Sequence, residues 1–221
     1  MAVSTRPLGR SGIEVSALGM GCWAIGGPWA EGARPLGWGA VDDAESVRAV
    51  RRALDLGVTL FDTADTYGAG HGERVLGRAL AGRRDEAVLA TKWGYTFDEA
   101  TRQATGEDAS PAYLRRAVTD SLRRLDTDRI DLYQLHLGDL PVPRAEALIG
   151  TLEDLVADGH VRAYAGAPTG PTELRPSPRW RRTPPPCSTA CRCSATPRPC
   201  WPPATSTIWP ASPGGRSAWG C

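Results

Sequence analysis

A regular alternation of strand-like and helix-like segments over residues 1–165 is the feature that most constrains the fold. The predicted strands are short, nearly continuous apolar runs, which is typical of strands buried on both faces of a parallel sheet. The predicted helices have apolar residues at helical spacing, and Ser110 followed by Pro111 is a strong helix start. We predict strands over 16–24, 58–64, 87–94, 130–136 and 161–165, and helices over 43–57, 73–82, 111–125 and 144–159.

This order gives four βα units and the start of a fifth, which places the chain in the α/β class. The pattern is compatible with a TIM-type (β/α)8 barrel or with a doubly wound sheet, and we favour the barrel. In a barrel, the carboxyl ends of the strands meet at one rim, where active sites lie. Polar side chains at the strand ends are therefore the first candidates for a functional site.

The alternation stops near residue 165, and the composition changes at the same point. Residues 166–221 contain 13 of the 19 prolines and five of the six cysteines. Their only Leu, Ile, Val, Met or Phe residues are Leu174 and Ile208. So few apolar side chains cannot offset the entropy of ordering the chain. We therefore predict a partial barrel over 1–165 and a non-native, largely disordered tail rich in Pro, Arg, Cys and Trp over 166–221.

A shifted reading frame explains this tail better than an ordinary disordered linker does. In GC-rich DNA, the Leu codon CTG read off frame begins TGN, which can encode Cys or Trp, and Ala codons can give Pro and Arg. The hypothesis accounts for a cluster that would otherwise suggest zinc, formed by Cys187, Cys191, Cys193 and Cys200. Sequencing the gene across codons 164–166 tests it, and an intact in-frame gene there contradicts it.

Composition excludes several function classes. The formal net charge is +1, which gives no general reason to expect a nucleic-acid partner. No window approaches the roughly 18 apolar residues of a membrane span, and the start of the chain lacks the apolar core of a signal peptide. Residues 1–165 contain no Cys or His pair at metal-binding spacing. We expect a cytoplasmic protein with no metal and no membrane partner.

Polar side chains at the ends of three predicted strands form the candidate catalytic set. Asp62 ends the second strand and leads to Tyr67, Lys92 ends the third strand, and His136 ends the fourth. None is a nucleophile paired with a base, so acyl transfer is excluded. A phenol beside an ammonium suits proton transfer to a carbonyl oxygen, because the positive charge lowers the pKa of the phenol. The set holds no reductant, so a hydride-carrying cofactor is implied.

Lys92 stands out on composition as well. Of the 26 lysine and arginine residues in the chain, it is the only lysine. Arginine can replace lysine on most solvated surfaces, but not where a compact ammonium is needed. Asp62 would keep Lys92 charged and aimed, and His136 would orient the substrate oxygen. A purely structural Asp62–Lys92 ion pair is the simpler alternative.

Four separated motifs resemble those of the aldo-keto reductase family. They are RPLGRSGIEVSALGMGCWAIGG (6–27), FDTADTYGAGHGERVLG (61–77), ATKWG (90–94) and DLYQLH (131–136). The resemblance implies a (β/α)8 barrel that uses NADP(H) to reduce a small-molecule aldehyde or ketone to an alcohol. It also implies Asp62, Tyr67, Lys92 and His136 as the catalytic tetrad, with Tyr67 as general acid.

The same resemblance implies roles for residues around the tetrad. Gly21, Cys22 and Trp23, with Asp62, would lie beside the nicotinamide end of the cofactor. Trp23 and Trp93, with His136, would shape the substrate pocket.

The chain also departs from the family pattern. It has Gly166-Ala167-Pro168 where the family has a Ser-Asn or Ser-Thr stretch that holds the nicotinamide amide. The later units that bind the cofactor's phosphates are absent from the sequence as written. Two alternatives to an active reductase follow: a non-catalytic NADPH-binding or sensing subunit, and an inactive truncated product of a frame-shifted gene. The sequence leaves the carbonyl substrate, the choice between NADPH and NADH and the oligomeric state open.

Overall fold

The computed structural model describes residues 3–138 and 140–166. The predictions for the tail, apart from Gly166, lie outside the described residues. The strands are β1 (Thr5–Pro7), β2 (Glu14–Ser16), β3 (Gly19–Gly21), β4 (Ala30–Glu31), β5 (Arg34–Pro35), β6 (Leu60–Asp62), β7 (Val88–Trp93), β8 (Tyr95–Asp98), β9 (Gln103–Glu107), β10 (Ile130–Leu135) and β11 (Val161–Gly166). The helices are α1 (Asp43–Asp55), α2 (His71–Leu80), α3 (Pro111–Leu125) and α4 (Val142–Ala157). Across these residues, no helix combines the length and apolar character that crossing a membrane requires.

The main sheet has five parallel strands in the order β3, β6, β7, β10, β11. Each strand of this sheet thus lies beside the strand of the same sheet that precedes it in the chain, with one α-helix in every crossover. In a doubly wound sheet, by contrast, successive strands are added first on one side of the starting strand and then on the other. Consecutive parallel strands of a (β/α)8 barrel lie side by side in this same order, which confirms the predicted fold class.

The two faces of this sheet carry different cores. Phe61, Leu89 and Tyr133 point to the helices and are fully buried among apolar residues of α2 and α3. On the opposite face, Val88 and its neighbours pack against Ile13 and the rest of the β1–β2 hairpin. Because side chains alternate along a strand, the polar residues that share the second face lie on the inside of the partial barrel.

Helix ends follow the local chemistry that the sequence predicts. The Ser110 hydroxyl accepts a hydrogen bond from the Tyr113 amide at 3.1 Å, with Pro111 as the first helical residue. Helix α4 begins at Val142, two residues earlier than predicted, because Pro143 is tolerated in a first turn. The strand predicted over 16–24 is only three residues long, since Ser16 belongs to the hairpin and a 3₁₀ turn begins at Ala24.

A second, four-stranded sheet was not predicted. It joins β5, β4, β9 and β8 in that order, and its strands come from residues 30–35 and 95–107. These strands are two to five residues long, and only Tyr95–Asp98 alternates apolar with polar side chains, over just four positions. Neither apolar runs nor period-two alternation marks the other three strands. The sheet matters for function because it lies in the loops that follow the first and third strands of the barrel.

Close packing of α2 on α3 gives a testable contrast between two helical glycines. A methyl group at Gly77 would lie 2.5 Å from the carbonyl oxygen of Leu125, whereas one at Gly150 would meet nothing within 4 Å. Alanine is favoured over glycine in a helix by about 1 kcal/mol. We expect G150A to raise the free energy of unfolding by roughly that amount, and G77A to lower it by about 1–3 kcal/mol because a backbone must move. Chemical denaturation of both variants measures this, and a stabilised G77A would contradict the packing.

Candidate active site

The carboxyl ends of three neighbouring strands position the predicted catalytic side chains. Asp62 is the last residue of β6, Lys92 is the penultimate residue of β7, and His136 directly follows β10. Tyr67 lies in the loop between β6 and α2. The structure therefore brings all four residues of the tetrad to one rim.

The Lys92 ammonium is the centre of this arrangement. Its Nζ donates to Asp62 Oδ2 at 2.7 Å, to the Thr63 carbonyl oxygen at 2.9 Å and to the Tyr67 hydroxyl at 3.3 Å. An ammonium has three N–H donors, so all of them have acceptors here. Because Lys92 donates to the phenolic oxygen, the proton of Tyr67 is left free to be donated elsewhere.

Gln134 is a site residue that the sequence patterns did not identify. Its Nε2 donates to Asp62 Oδ1 at 3.2 Å, so both carboxylate oxygens of Asp62 have a partner. Gln134 lies opposite Lys92 in the β7–β10 register. The signal available in the sequence was its spacing, since Gln134 lies two residues before His136 on the same face of β10.

The pKa of Tyr67 moves in the direction opposite to our prediction. Burial of the phenol raises its pKa, and this effect exceeds the lowering by the neighbouring Lys92 charge. Asp62, whose negative charge also disfavours the phenolate, adds to the increase. Tyr67 is therefore a fully protonated phenol at neutral pH, which suits a proton donor.

His136 lies on the other side of Tyr67, with ring centroids 6.0 Å apart. Burial, and then the Lys92 charge, lower its pKa from 6.5 to about 4. Its Nδ1 is buried without a hydrogen-bond partner among the described residues. The imidazole is consequently neutral at pH 7 and has one N–H to offer a ligand.

The depressed pKa of His136 predicts a specific loss of stability in acid. An unfolded histidine takes up a proton near pH 6.5, whereas folded His136 does so only near pH 4. The stability associated with neutral His136 is therefore present above pH 6.5 and declines as the pH falls towards 4. We expect the wild-type protein to lose about 1–1.5 kcal/mol more unfolding free energy than H136N between pH 7 and pH 5, since partial exposure screens part of the roughly 2 kcal/mol that the two pKa values imply. Urea denaturation at several pH values measures this difference. If the unfolding free energies of wild type and H136N change in parallel with pH, the lowered pKa of His136 is contradicted.

The residues that follow β3 border the tetrad. The Cys22 amide donates to the Asp62 carbonyl oxygen at 2.8 Å, and the Cys22 thiol is fully buried, which raises its pKa to about 12. Gly21 pairs with Asp62 across the sheet and is exposed. Trp23 is 44% exposed and stacks on Tyr67, with centroids 5.8 Å apart.

Trp93 does not shape the pocket as predicted. It is 1% exposed and stacks on Tyr133, with centroids 6.1 Å apart, inside the core between the sheet and the helices. The reason is strand alternation: Lys92 faces the inside of the partial barrel, so its neighbour Trp93 must face the helices.

A cleft of about 400 Å³ opens over the tetrad. Tyr67 and His136 lie in its wall with Trp23, and the second sheet supplies most of the remaining lining. That remaining lining comprises Trp29, Glu31, Arg34, Leu36, Thr66, Tyr95, Ala104, Gly106 and Glu107. The cleft thus combines an aromatic interior with a proton donor and a neutral imidazole, which together can bind and protonate a small carbonyl compound.

Comparisons with known proteins agree with this geometry. The aldo/keto reductase family model matches residues 17–173. The chain is 40% identical to aldo-keto reductase YhdN of Bacillus subtilis over 155 residues, which is 69% of this chain and 43% of that protein. It is also similar to the holo form of aldo-keto reductase AKR11C1 from Bacillus halodurans, with 38% identity and a TM-score of 0.64 over 75% of this chain and 50% of the other.

A further similar structure was solved with NADPH bound. It is an aldo-keto reductase from Klebsiella pneumoniae in complex with NADPH, with 33% identity and a TM-score of 0.57, covering 75% of this chain and 50% of that one. The chain spans about half the length of the curated relatives it matches. The family match covers well over half of the sequence and includes three of the four motifs completely and residues 17–27 of the first. The chain therefore belongs to the aldo/keto reductase family.

Proposed function

We propose that this chain carries the catalytic half of an NADPH-dependent reductase of small aldehydes or ketones, with Tyr67 as the general acid. The observation that carries the proposal is the contact between Lys92 Nζ and the Tyr67 hydroxyl at 3.3 Å, inside a cleft large enough for a small ligand. A lone structural ion pair would not require a phenol at the same ammonium.

The described residues fit one end of the cofactor. Gly21 and Trp23 are exposed beside Asp62, and a methyl group built at Gly21 would meet nothing within 4 Å. A flat ring can therefore approach the backbone there, next to the tetrad. When bound, NADPH supplies the hydride that the tetrad itself lacks.

Each residue of the tetrad has a defined task in this proposal. Tyr67 donates its proton to the carbonyl oxygen as negative charge develops there. Lys92 stabilises the resulting phenolate, and Asp62 keeps the ammonium in place. His136, being neutral, orients the substrate oxygen through its N–H.

The experiment that tests the proposal measures binding and turnover separately on the full 221-residue chain. NADPH binding is followed by cofactor fluorescence, and turnover by the loss of NADPH absorbance with a panel of aliphatic and aromatic aldehydes. We expect both signals. Binding without turnover on any aldehyde would overturn the catalytic proposal in favour of a sensing subunit, and the absence of both would indicate an inactive product.

A further inference from the structure

A fully buried ion pair lies directly beneath the proposed active site. Glu73 Oε2 and Arg124 Nε are 2.7 Å apart, and the two side chains are 0% and 3% exposed. Removing two charges from water costs so much that a buried ion pair adds little net stability over apolar residues of the same size. Stability alone therefore does not explain why this ion pair lies between α2 and α3.

Hydrogen bonds connect this pair to the strand that carries Lys92. The Thr91 hydroxyl donates to Glu73 Oε1 at 2.6 Å. Thr91 directly precedes Lys92, and the two side chains leave β7 on opposite faces. Arg124 also donates to Glu99 Oε1 at 2.9 Å, which connects the pair to the turn between β8 and β9.

Packing connects the same pair to the loop that carries Tyr67. A methyl group at Gly70 would lie 2.7 Å from Arg124 Cδ, so the arginine stem lies against this loop. From the other side, a methyl group at Gly68 would overlap the Gly26 carbonyl oxygen at 1.7 Å. The loop is thus held between the Gly26 turn and Arg124, and the Gly72 amide donates to the Tyr67 carbonyl oxygen at 2.9 Å.

The charge of Arg124 is directed to Glu73 and Glu99 rather than to the nearby Asp65. Burial, reinforced by the Glu73 charge, raises the pKa of Asp65 well above its usual value. Arg124 Nε donates to Glu73 Oε2 and its Nη1 to Glu99 Oε1, and among the described residues no hydrogen bond joins the guanidinium to Asp65.

We propose that Glu73 and Arg124 are positioning residues that hold the Tyr67 loop and the Lys92 strand at the distance proton transfer needs. This inference rests on the proposed function of Tyr67 and Lys92. It makes a distinct prediction, however, because the ammonium–phenol geometry can be observed without turnover.

The single lysine of the chain provides the measurement. In full-length protein labelled with ¹³C- and ¹⁵N-lysine, the side-chain signal comes from Lys92 alone. We expect Glu73→Gln, which keeps the size and removes the charge, to move the chemical shift of this signal towards its value in Asp62→Asn.

Asp131→Asn is the matched control. Asp131 is also a 1% exposed carboxylate in an ion pair, with Arg84 at 2.7 Å, but it lies at the opposite end of β10 from the tetrad. We expect D131N to lower the thermal stability and leave the Lys92 signal unchanged. A Lys92 signal that stays in place in E73Q, or that moves equally in D131N, would overturn the proposal. If E73Q does not fold, Thr91→Val removes only the hydrogen bond from the Thr91 hydroxyl to Glu73. An unchanged Lys92 signal in T91V would then overturn the proposal.

Discussion

Replacing Tyr67 by phenylalanine is expected to lower kcat by about 10²–10⁴-fold while NADPH binding stays within a few-fold of wild type. The substitution removes one oxygen and keeps the ring that stacks on Trp23. The lost group is the only proton donor that contacts both the Lys92 ammonium and the cleft among the described residues. Steady-state NADPH oxidation and cofactor fluorescence on the same preparation measure the two quantities.

Tyr95→Phe is the matched control for this prediction. Tyr95 lines the same cleft and packs edge-on against His136, with centroids 5.3 Å apart, but the three acceptors of the Lys92 ammonium are other groups. We expect Y95F to change KM more than kcat. If Y67F turns over at the wild-type rate, Tyr67 is not the general acid.

The second large effect is expected from Lys92→Arg, a change that keeps the positive charge. The ammonium fits between Asp62 Oδ2 and the Thr63 carbonyl oxygen at 2.7 and 2.9 Å, and the side chain is only 15% exposed. A planar guanidinium is wider and cannot satisfy three acceptors arranged around a point. We expect kcat to fall on the order of 10²-fold, as for the loss of one preorganised electrostatic contact.

Two further variants complete this test. One removes the positive charge at position 92, and the other is a control that makes the same type of exchange between lysine and arginine elsewhere in the chain. Lys92→Met removes the charge, leaves Asp62 without its cation, and is expected to be at least as inactive as K92R. Arg116→Lys introduces a second lysine far from Asp62 and is expected to behave as wild type. If K92R retains full turnover, the absence of arginine at this position needs an explanation other than catalysis.

The sequence predicted the parallel sheet and the meeting of Asp62, Lys92 and His136 at one rim, because both depend on local patterns. The catalytic roles of these residues stay a prediction. Apolar runs mark buried parallel strands, and the ends of such strands meet at one rim, so the sequence pattern alone places Asp62, Lys92 and His136 together. The order of the strands across the sheet follows in the same way, since each βα unit is followed by its neighbour.

What the sequence did not predict depends on contacts between distant segments. The second sheet forms because residues 30–35 meet residues 95–107, and apart from the short alternation over Tyr95–Asp98 neither segment has a strand pattern of its own. Gln134 and Trp93 are the exception, because strand alternation alone puts Gln134 on the face of His136 and Trp93 on the face opposite Lys92, so the sequence contained both signals. The pKa of Tyr67 is raised by burial of the phenol and lowered by the Lys92 charge, and only the packed structure shows that burial has the larger effect.

The three occupied donors of Lys92 have a consequence for how the site recovers between cycles. Its three hydrogens go to Asp62 Oδ2, the Thr63 carbonyl oxygen and the Tyr67 hydroxyl. If the ammonium passed a proton to the Tyr67 phenolate along their 3.3 Å contact, the amine would be left with a lone pair that faces Tyr67 and not the solvent. Tyr67 itself lies in the wall of the cleft, so water in the cleft is the direct source that restores the phenol, and isotope exchange at Tyr67 should follow access to the cleft.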